Sequence, residues 1–209
     1  MKLVGVTQRV DNIEHYFERR DCLDQRWSDF FNRLGYLVIP LPNIAKERVS
    51  KLCDKLQLDA ILLSGGNSIA ELNPSAKDSA PERDEFEKEI VNYAIQNNIP
   101  LVGVCRGMQL LNIHLGGSLC ALDGHIATRH AIESPENNQL FNRIVNSYHA
   151  WGIRPQDLAL SLNPLAYDDK GNVEAFYSTS EKQLGLMWHP EREEQFNQFD
   201  IQIISEFLK

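Results

Sequence analysis

The stretch LVGVCRGMQLLN, residues 101–112, constrains the fold more than any other part of the chain. An apolar run (Leu101, Val102, Val104) ends at Gly103-Val104-Cys105-Arg106-Gly107, and a segment with helical spacing follows. This is a G-x-nucleophile-x-G turn with cysteine in the nucleophile position. Such a turn leaves a strand sharply and opens a helix at once, so its central side chain rises above the sheet edge. The flanking glycines let backbones pack where a Cβ would clash. Cys105 would then stand at a helix N-terminus, where the dipole and free N–H groups favour the thiolate. A thiolate is the nucleophile that acyl transfer needs. The plainer reading is a buried structural cysteine beside a tight turn, and the rest of the chain decides between the two.

The preceding hundred residues alternate in type. Residues 2–7 read as a strand. Leu23, Trp27, Phe30, Phe31 and Leu34 repeat at helical spacing around residues 21–34, and Gly35 stops that helix. Tyr36 to Leu41 reads as a second strand, Val49 to Leu56 as a helix with Cys53 on its core face, and Ala60 to Leu63 as a short buried strand ending at Ser64-Gly65-Gly66-Asn67. Residues 67–81 are polar, contain Pro74 and Pro81, and read as a loop; a helix follows from about Glu82 to Gln96. This alternation predicts a mostly parallel sheet with helices on both faces. After Gly116-Gly117 the pattern shortens into β-like pieces at 118–121, 126–132, 144–147, 158–162, 173–177 and 183–188, before a helical segment from about Glu193 to Leu208. No repeat or low-complexity linker interrupts residues 1–209, so one domain is expected.

The 209 residues suffice for a full α/β core. A net charge of −8 argues against a nucleic-acid polymer as partner. No apolar run approaches the roughly 18 residues that read as a membrane span. MKLVGVTQRV reads as a strand rather than a signal peptide, because Gln8 and Arg9 follow its short apolar run at once. The four cysteines (Cys22, Cys53, Cys105, Cys120) are scattered, so free thiols in a cytoplasmic setting are expected. Cys120, Asp123, His125 and His130 lie close in sequence, but their C-x2-D-x-H-x4-H spacing fits no usual zinc pattern, and they read as a polar loop. His15 and His114 show no partner in the sequence and read as structural or surface residues.

In an open α/β sheet, ligands bind at the carboxyl ends of the strands. Three such ends carry chemistry here: Cys105, Gly65-Gly66, and Met187-Trp188-His189-Pro190-Glu191. Pro190 stops its strand and leaves His189 at the rim. Glu191, two residues on, is placed to hold the imidazole in one tautomer. Gln109 lies one helical turn beyond Cys105, so its side chain can return to the same site.

LLSGG, GVCRGMQLL and GLMWHPE together resemble the class I glutamine amidotransferase superfamily. Arg106 after the cysteine, Arg83-Asp84 opening a helix, and Val145-Asn146-Ser147-Tyr148-His149 are similar to its γ-glutamyl-γ-aminobutyrate hydrolase group. The resemblance implies a flavodoxin-like α/β fold, a mostly parallel central sheet with helices on both faces and small antiparallel additions. It implies a Cys105-His189-Glu191 triad, a γ-glutamyl thioester, and hydrolysis that needs no metal or organic cofactor. It places backbone donors for the oxyanion at Gly66 and Arg106. Gly65 and Gln109 would hold the glutamyl moiety, with Ser147, Tyr148 and His149 beside its α-amino and α-carboxylate groups. The start TQR followed by ERRDCLDQRW is similar to the γ-glutamyl-CDP-amidate hydrolases, which act in phosphoramidate modification of bacterial surface polysaccharide.

The arginines of residues 9–26 carry two readings. One is a solvated helix face paired with Asp11, Glu14, Glu18 and Asp21. The other is a pocket in which Arg9, Arg19 and Arg20 fork onto an anionic leaving group. The substrate expected is therefore a small γ-glutamyl amide, nucleotide-linked in the most specific reading. The alternative is a glutaminase subunit that passes ammonia to a partner synthase. Arg106 and the arginine-rich segment favour the first, since ammonia needs no such recognition.

Overall fold

A nine-stranded sheet runs through the molecule, and its strand order explains where the site forms. The computed structural model describes every residue except 137, 179 and 181, and the backbone alone of Tyr16. The strands are β1 (Lys2–Thr7), β2 (Arg9–Ile13), β3 (Glu18–Cys22), β4 (Tyr36–Leu41), β5 (Ala60–Leu63), β6 (Leu101–Val104), β7 (Cys120–Ala121), β8 (Ile126–Glu133), β9 (Arg143–Tyr148), β10 (Trp151–Gly152), β11 (Asn163–Asp168), β12 (Val173–Ser178) and β13 (Gln183–Leu186). The helices are α1 (Arg26–Arg33), α2 (Val49–Leu56), α3 (Pro81–Gln96), α4 (Arg106–His114) and α5 (Gln198–Phe207).

The order across the main sheet is β4-β1-β5-β6-β13-β12-β11-β8-β9. From β4 to β13 all pairings are parallel, and from β13 to β9 all are antiparallel. The antiparallel part is thus a four-strand extension of the same sheet, larger than the small additions expected. The chain leaves β1 toward β4 on one side and returns to β5 on the other. Strand order therefore reverses beside the ends of β1 and β5, where such sheets bind ligands.

Alternation along the strands divides the core in two. Val4, Val6, Ala60, Leu62, Val102 and Val104 face one cluster with Trp27, Phe30 and Phe31 of α1 and Ile203 and Ile204 of α5. Ile61, Leu63 and Leu101 face the other, with Val49 of α2, Phe86 and Ile90 of α3, and Met108 and Leu111 of α4. Both sheet faces are covered, which is why β5 and β6 are apolar at every position.

The segment before residue 27 departs from expectation. The predicted helix over 21–34 is shortened to α1, and β2 and β3 form an antiparallel hairpin with Arg9 opposite Cys22 and Ile13 opposite Glu18. Asn67 pins the hairpin, since its side chain accepts from Val10 N at 2.8 Å and donates to Val10 O at 2.8 Å. Residues 158–162 form no strand; β11 begins at Asn163 instead. Pro164 reads as a breaker, yet β8 pairs with β11 only at Tyr167 and Asp168, so the stretch around Pro164 has one strand neighbour and tolerates it. The last helix starts at Gln198 rather than about residue 193, where the Asn197 side chain caps it by accepting from Phe199 N.

Two glycines set the distance between α4 and the sheet. A Cβ on Gly107 would lie 2.1 Å from Leu63 O, and one on Gly103 would lie 2.7 Å from the Gly107 carbonyl. Backbone therefore rests on backbone at this point. Gly107→Ala should lower stability by roughly 1–3 kcal/mol or more, through forced displacement of α4. Thermal unfolding of the variant checks this, and a melting temperature equal to the parent's would contradict the contact.

Candidate active site

The carboxyl ends of β5, β6 and β13 lie side by side, with Leu63 paired to Gly103 and Leu186 to Val104. Cys105 follows β6 in a conformation that L-residues rarely adopt, φ 53° and ψ −109°. It is held there from three sides. Its N–H donates to Leu186 O at 2.8 Å, its carbonyl accepts from Gln109 N at 3.0 Å, and α4 starts immediately at Arg106.

His189 stands at the end of the neighbouring strand segment. Asn146 of β9 holds its backbone on both sides: Asn146 Oδ1 accepts from His189 N at 2.9 Å, and Asn146 Nδ2 donates to His189 O at 2.8 Å. Pro190 opens a short 3₁₀ turn that brings Glu191 back under the imidazole, and His189 Nδ1 lies 2.7 Å from Glu191 Oε1. Arg26 donates to the carbonyls of Glu191, Glu193 and Glu194, fixing the path of this turn. A Cβ on Gly65 would come within 2.6 Å of His189 Cε1, so only glycine leaves room for the ring. The Tyr148 ring meets the imidazole edge-on at 5.7 Å, and the Arg192 guanidinium stacks on Tyr148 at 4.6 Å.

The His189 imidazole and the Arg106 backbone amide both act on the Cys105 sulfur. Burial alone would raise the thiol, but the charge and hydrogen bond of His189 and the Arg106 amide together leave it below the ordinary thiol range. Burial alone would lower His189, but the facing thiolate and Glu191 outweigh it and raise the ring to about 9. The arrangement thus shifts both groups toward a thiolate–imidazolium pair.

A cavity of about 240 Å³ opens beside Cys105. Gly66, Asn67, Ile69 and Leu72 line one side, and Gln109, Tyr148, His149 and Trp151 the other. Gln109 Nε2 donates to Trp151 O at 2.9 Å, tying α4 to the opposite wall. Gly65, Gly66, Gln109, Tyr148 and His149 therefore gather around Cys105 and His189, as the sequence suggests. Ser147 does not line the cavity: its hydroxyl points into the protein and donates to His125 O at 2.8 Å.

The arginines are placed differently from expectation. Arg106 borders the cavity, but its guanidinium is buried in ion pairs with Asp84 and Glu87 of α3. Arg83 pairs with Glu87 at 2.9 Å and donates to the carbonyls of Ser64 (2.7 Å), Gly65 (3.2 Å) and Gly66 (2.6 Å). Thr7 donates to Glu87 at 2.6 Å. Two cations and two carboxylates form a closed, neutral network under the turn after β5. Because a trans peptide sets its C=O and N–H in opposite directions, the Gly66 N–H points away from Arg83. This corrects the reading of the Arg106 side chain as a substrate-recognition group.

Arg19 and Arg20 do not line the cavity either. Arg19 donates to Glu82 and, at 2.7 Å, to Asn12; Arg20 donates to Glu18 at 2.9 Å and 3.0 Å. On adjacent positions of β3, they extend to opposite faces of the hairpin. Arg9 alone of the three approaches the site. It lines a cleft with Gly65, His189, Glu191 and Arg192, and its stem packs on Gly66. Among the described residues its ion pair is a half-exposed contact with Asp11 at 3.5 Å.

The loop reading of residues 120–130 also changes. Cys120 donates to Gly152 O, while His125 and His130 turn inward and meet His149 and Glu174. His149 and Glu174 lie on segments remote in sequence, so local spacing gives no sign of them. Sequence reasoning likewise misses Asn146 as a positioning residue, because its role depends on β9 lying beside the His189 turn. All four cysteines are free, and Cys53 is pushed up to about 11 chiefly by burial. His114 bonds Asn92 at 2.9 Å, and His15 is exposed. Among the described residues no helix is long and apolar enough to cross a membrane.

The peptidase C26 profile matches residues 2–191. The chain is 31% identical over 206 residues to the γ-glutamyl-CDP-amidate hydrolase of Campylobacter jejuni, covering 98% of this chain and 96% of that one. It is 28% identical over 202 residues to the γ-glutamyl-γ-aminobutyrate hydrolase of Escherichia coli O157:H7, covering 81% and 78%. Among solved structures, the glutamine amidotransferase of Thermotoga maritima superposes with a TM-score of 0.64 at 18% identity, covering 99% of this chain and 84% of that one. The chain belongs to the peptidase C26 family of class I glutamine amidotransferase-like proteins.

Proposed function

We propose that the protein hydrolyses a γ-glutamyl amide through a thioester on Cys105, acting as a stand-alone cytoplasmic enzyme of one domain. The observation that carries this reading is the alignment of Cys105, His189 and Glu191, with His189 Nδ1 2.7 Å from Glu191 Oε1 and the charge of the same ring acting on the Cys105 thiol. The Cys105 thiolate attacks the γ-carbonyl carbon, and its electron pair moves onto the carbonyl oxygen. The backbone amides of Gly66 and Arg106 receive that oxyanion, the first turned away from Arg83 and the second next to the nucleophile at the start of α4. The tetrahedral species collapses, the C–N bond breaks, and the His189 imidazolium gives its proton to the leaving amine. Water then attacks the thioester, neutral His189 takes its proton, and glutamate departs as Cys105 is regenerated.

The finer reading is a nucleotide-linked amide, γ-glutamyl-CDP-amidate. Likeness along nearly the whole chain to the C. jejuni hydrolase supports it. So does Arg9, whose side chain overhangs Gly66 at the mouth of the site. Gln109, Tyr148 and His149 would contact the glutamyl end, and Arg9 and Arg192 the anionic end.

The purified protein, given γ-glutamyl-CDP-amidate, γ-glutamyl-aminobutyrate and glutamine separately, should release glutamate fastest from the first with no added protein. Glutamate released only from glutamine, and only with a synthase partner present, would overturn the reading. Cys105→Ala should lower the rate by roughly 10³-fold or more.

The pH profile follows from the pair. Acid protonates the thiolate, and above about 9 His189 loses the proton that the leaving amine needs. Acylation should hold across neutral pH and fall on an alkaline limb near 9. Glu191→Gln removes a charge that raises His189, so that limb should move to lower pH; an unmoved limb would contradict the relay.

Arg9→Ala should raise KM for the nucleotide amide and spare γ-glutamyl-aminobutyrate, while Arg19→Ala and Arg20→Ala leave both unchanged. Arg106→Met strands buried Asp84 and leaves Glu87 with Arg83 and Thr7 alone, and should cost about 3–5 kcal/mol of stability. Steady-state kinetics and denaturant unfolding distinguish these effects.

A further inference from the structure

One buried cluster reaches beyond the chemistry above and shares only His149 with the cavity wall. His125 precedes β8, His130 lies on β8, His149 follows β9, and Glu174 lies on β12. Each offers one ligand atom, and the four atoms all lie within 4.8 Å of one another. Glu174 is 1% exposed, and neither of its carboxylate oxygens has a hydrogen-bond partner. Nε2 of His130 and Nε2 of His149 lack one too. Buried polar atoms are normally satisfied, so four such atoms facing one another need an explanation.

The tautomers make the arrangement more specific. His149 Nδ1 lies 2.9 Å from Trp151 O, and His130 Nδ1 lies 3.1 Å from Ala131 O. A carbonyl only accepts, so each Nδ1 carries a hydrogen, and in the neutral ring each Nε2 presents a lone pair. Those lone pairs face carboxylate oxygens, His130 Nε2 at 3.6 Å from Glu174 Oε2 and His149 Nε2 at 3.7 Å from Glu174 Oε1. Lone pairs facing lone pairs repel unless a positive centre lies between them. A single proton would settle one contact and leave the other. His125 completes the set, with Asp168 Oδ2 3.4 Å from its Nε2. Asp168 is itself fixed by the Lys170 and Asn172 amides and the Asn172 side chain, the kind of outer support that metal-binding histidines have.

We propose that His125, His130, His149 and Glu174 form a closed four-coordinate site for one divalent cation of the zinc class. Three imidazoles and one carboxylate suit zinc and its borderline neighbours, whereas magnesium and calcium take oxygen ligands. Tetrahedral coordination at zinc bond lengths sets ligand atoms about 3.3 Å apart. The four ligand atoms now lie within 4.8 Å of one another, so the side chains draw together to close the site. With all four positions filled by protein, no place remains for an activated water, and the role is structural. The ion would tie β8, β9 and β12 together and fix His149, which also walls the cavity beside Cys105.

The test uses the full chain after chelator treatment, with zinc itself as probe, in a Cys105→Ala background. That background removes the thiol that would otherwise compete for zinc with His189. One zinc per chain by elemental analysis, a raised melting temperature, and the intense visible bands of four-coordinate cobalt(II) on substitution are expected. Glu174→Gln and His130→Gln should each weaken zinc binding by more than about 100-fold, with circular dichroism confirming that the variants fold. His130 is partly exposed, so its replacement guards against a variant that merely fails to fold. No stoichiometric zinc, six-coordinate cobalt, or unchanged affinity in both variants would overturn the proposal.

Discussion

The direct contact of α4 backbone on β5 and β6, through Gly103 and Gly107, is the constraint on which the candidate site rests. It brings the start of α4 so close to the sheet that Cys105 must bridge strand and helix in a conformation costing of order 1–3 kcal/mol. The same closeness aims the Arg106 amide at the sulfur and sets Leu186 O against Cys105 N. His189 is placed independently by Asn146, Arg26 and the Pro190 turn. Two separately fixed elements thus bring the Cys105 thiol and the His189 imidazole together. Preorganisation of this kind is what covalent catalysis asks of a fold.

Beneath the turn after β5, the Arg83–Glu87–Arg106–Asp84 network serves a second purpose. It draws the carbonyls of residues 64–66 toward α3, which leaves the glycine amides free on the other side. Asp84 also accepts from Ala70 N at 2.8 Å, so the loop bordering the cavity is tied to the same charges. A buried network of this sort contributes little net stability against an apolar alternative, yet losing one member is costly. Its value here lies in fixing backbone direction at a site where one peptide flip would remove a donor.

Much of this architecture is legible in the amino-acid sequence. Short apolar runs mark β1, β4, β5 and β6, the last three with glycine or proline close to their ends, and the motifs at Cys105 and His189 fall at strand ends as such sheets require. The β2–β3 hairpin is not legible, because its charged positions on both faces hide the period of two and Leu23 to Leu34 extend a false helical pattern toward it. Pro164 conceals β11 by the usual rule against proline in strands. The orientation of Arg106 is hidden for a different reason: sequence gives position on a helix, while the acids that capture the side chain sit on another helix. The histidine cluster draws its members from around three strands, so no spacing rule could assemble it.

The most direct measurement is the mass of the protein during turnover. Rapid acid quench of enzyme mixed with a γ-glutamyl amide, followed by mass spectrometry of the intact chain and its peptides, should show one γ-glutamyl adduct on the peptide containing Cys105. The adduct should be sensitive to hydroxylamine, as a thioester is, and absent in Cys105→Ala. Full turnover with no adduct under single-turnover conditions, or an adduct on another residue, would contradict the mechanism.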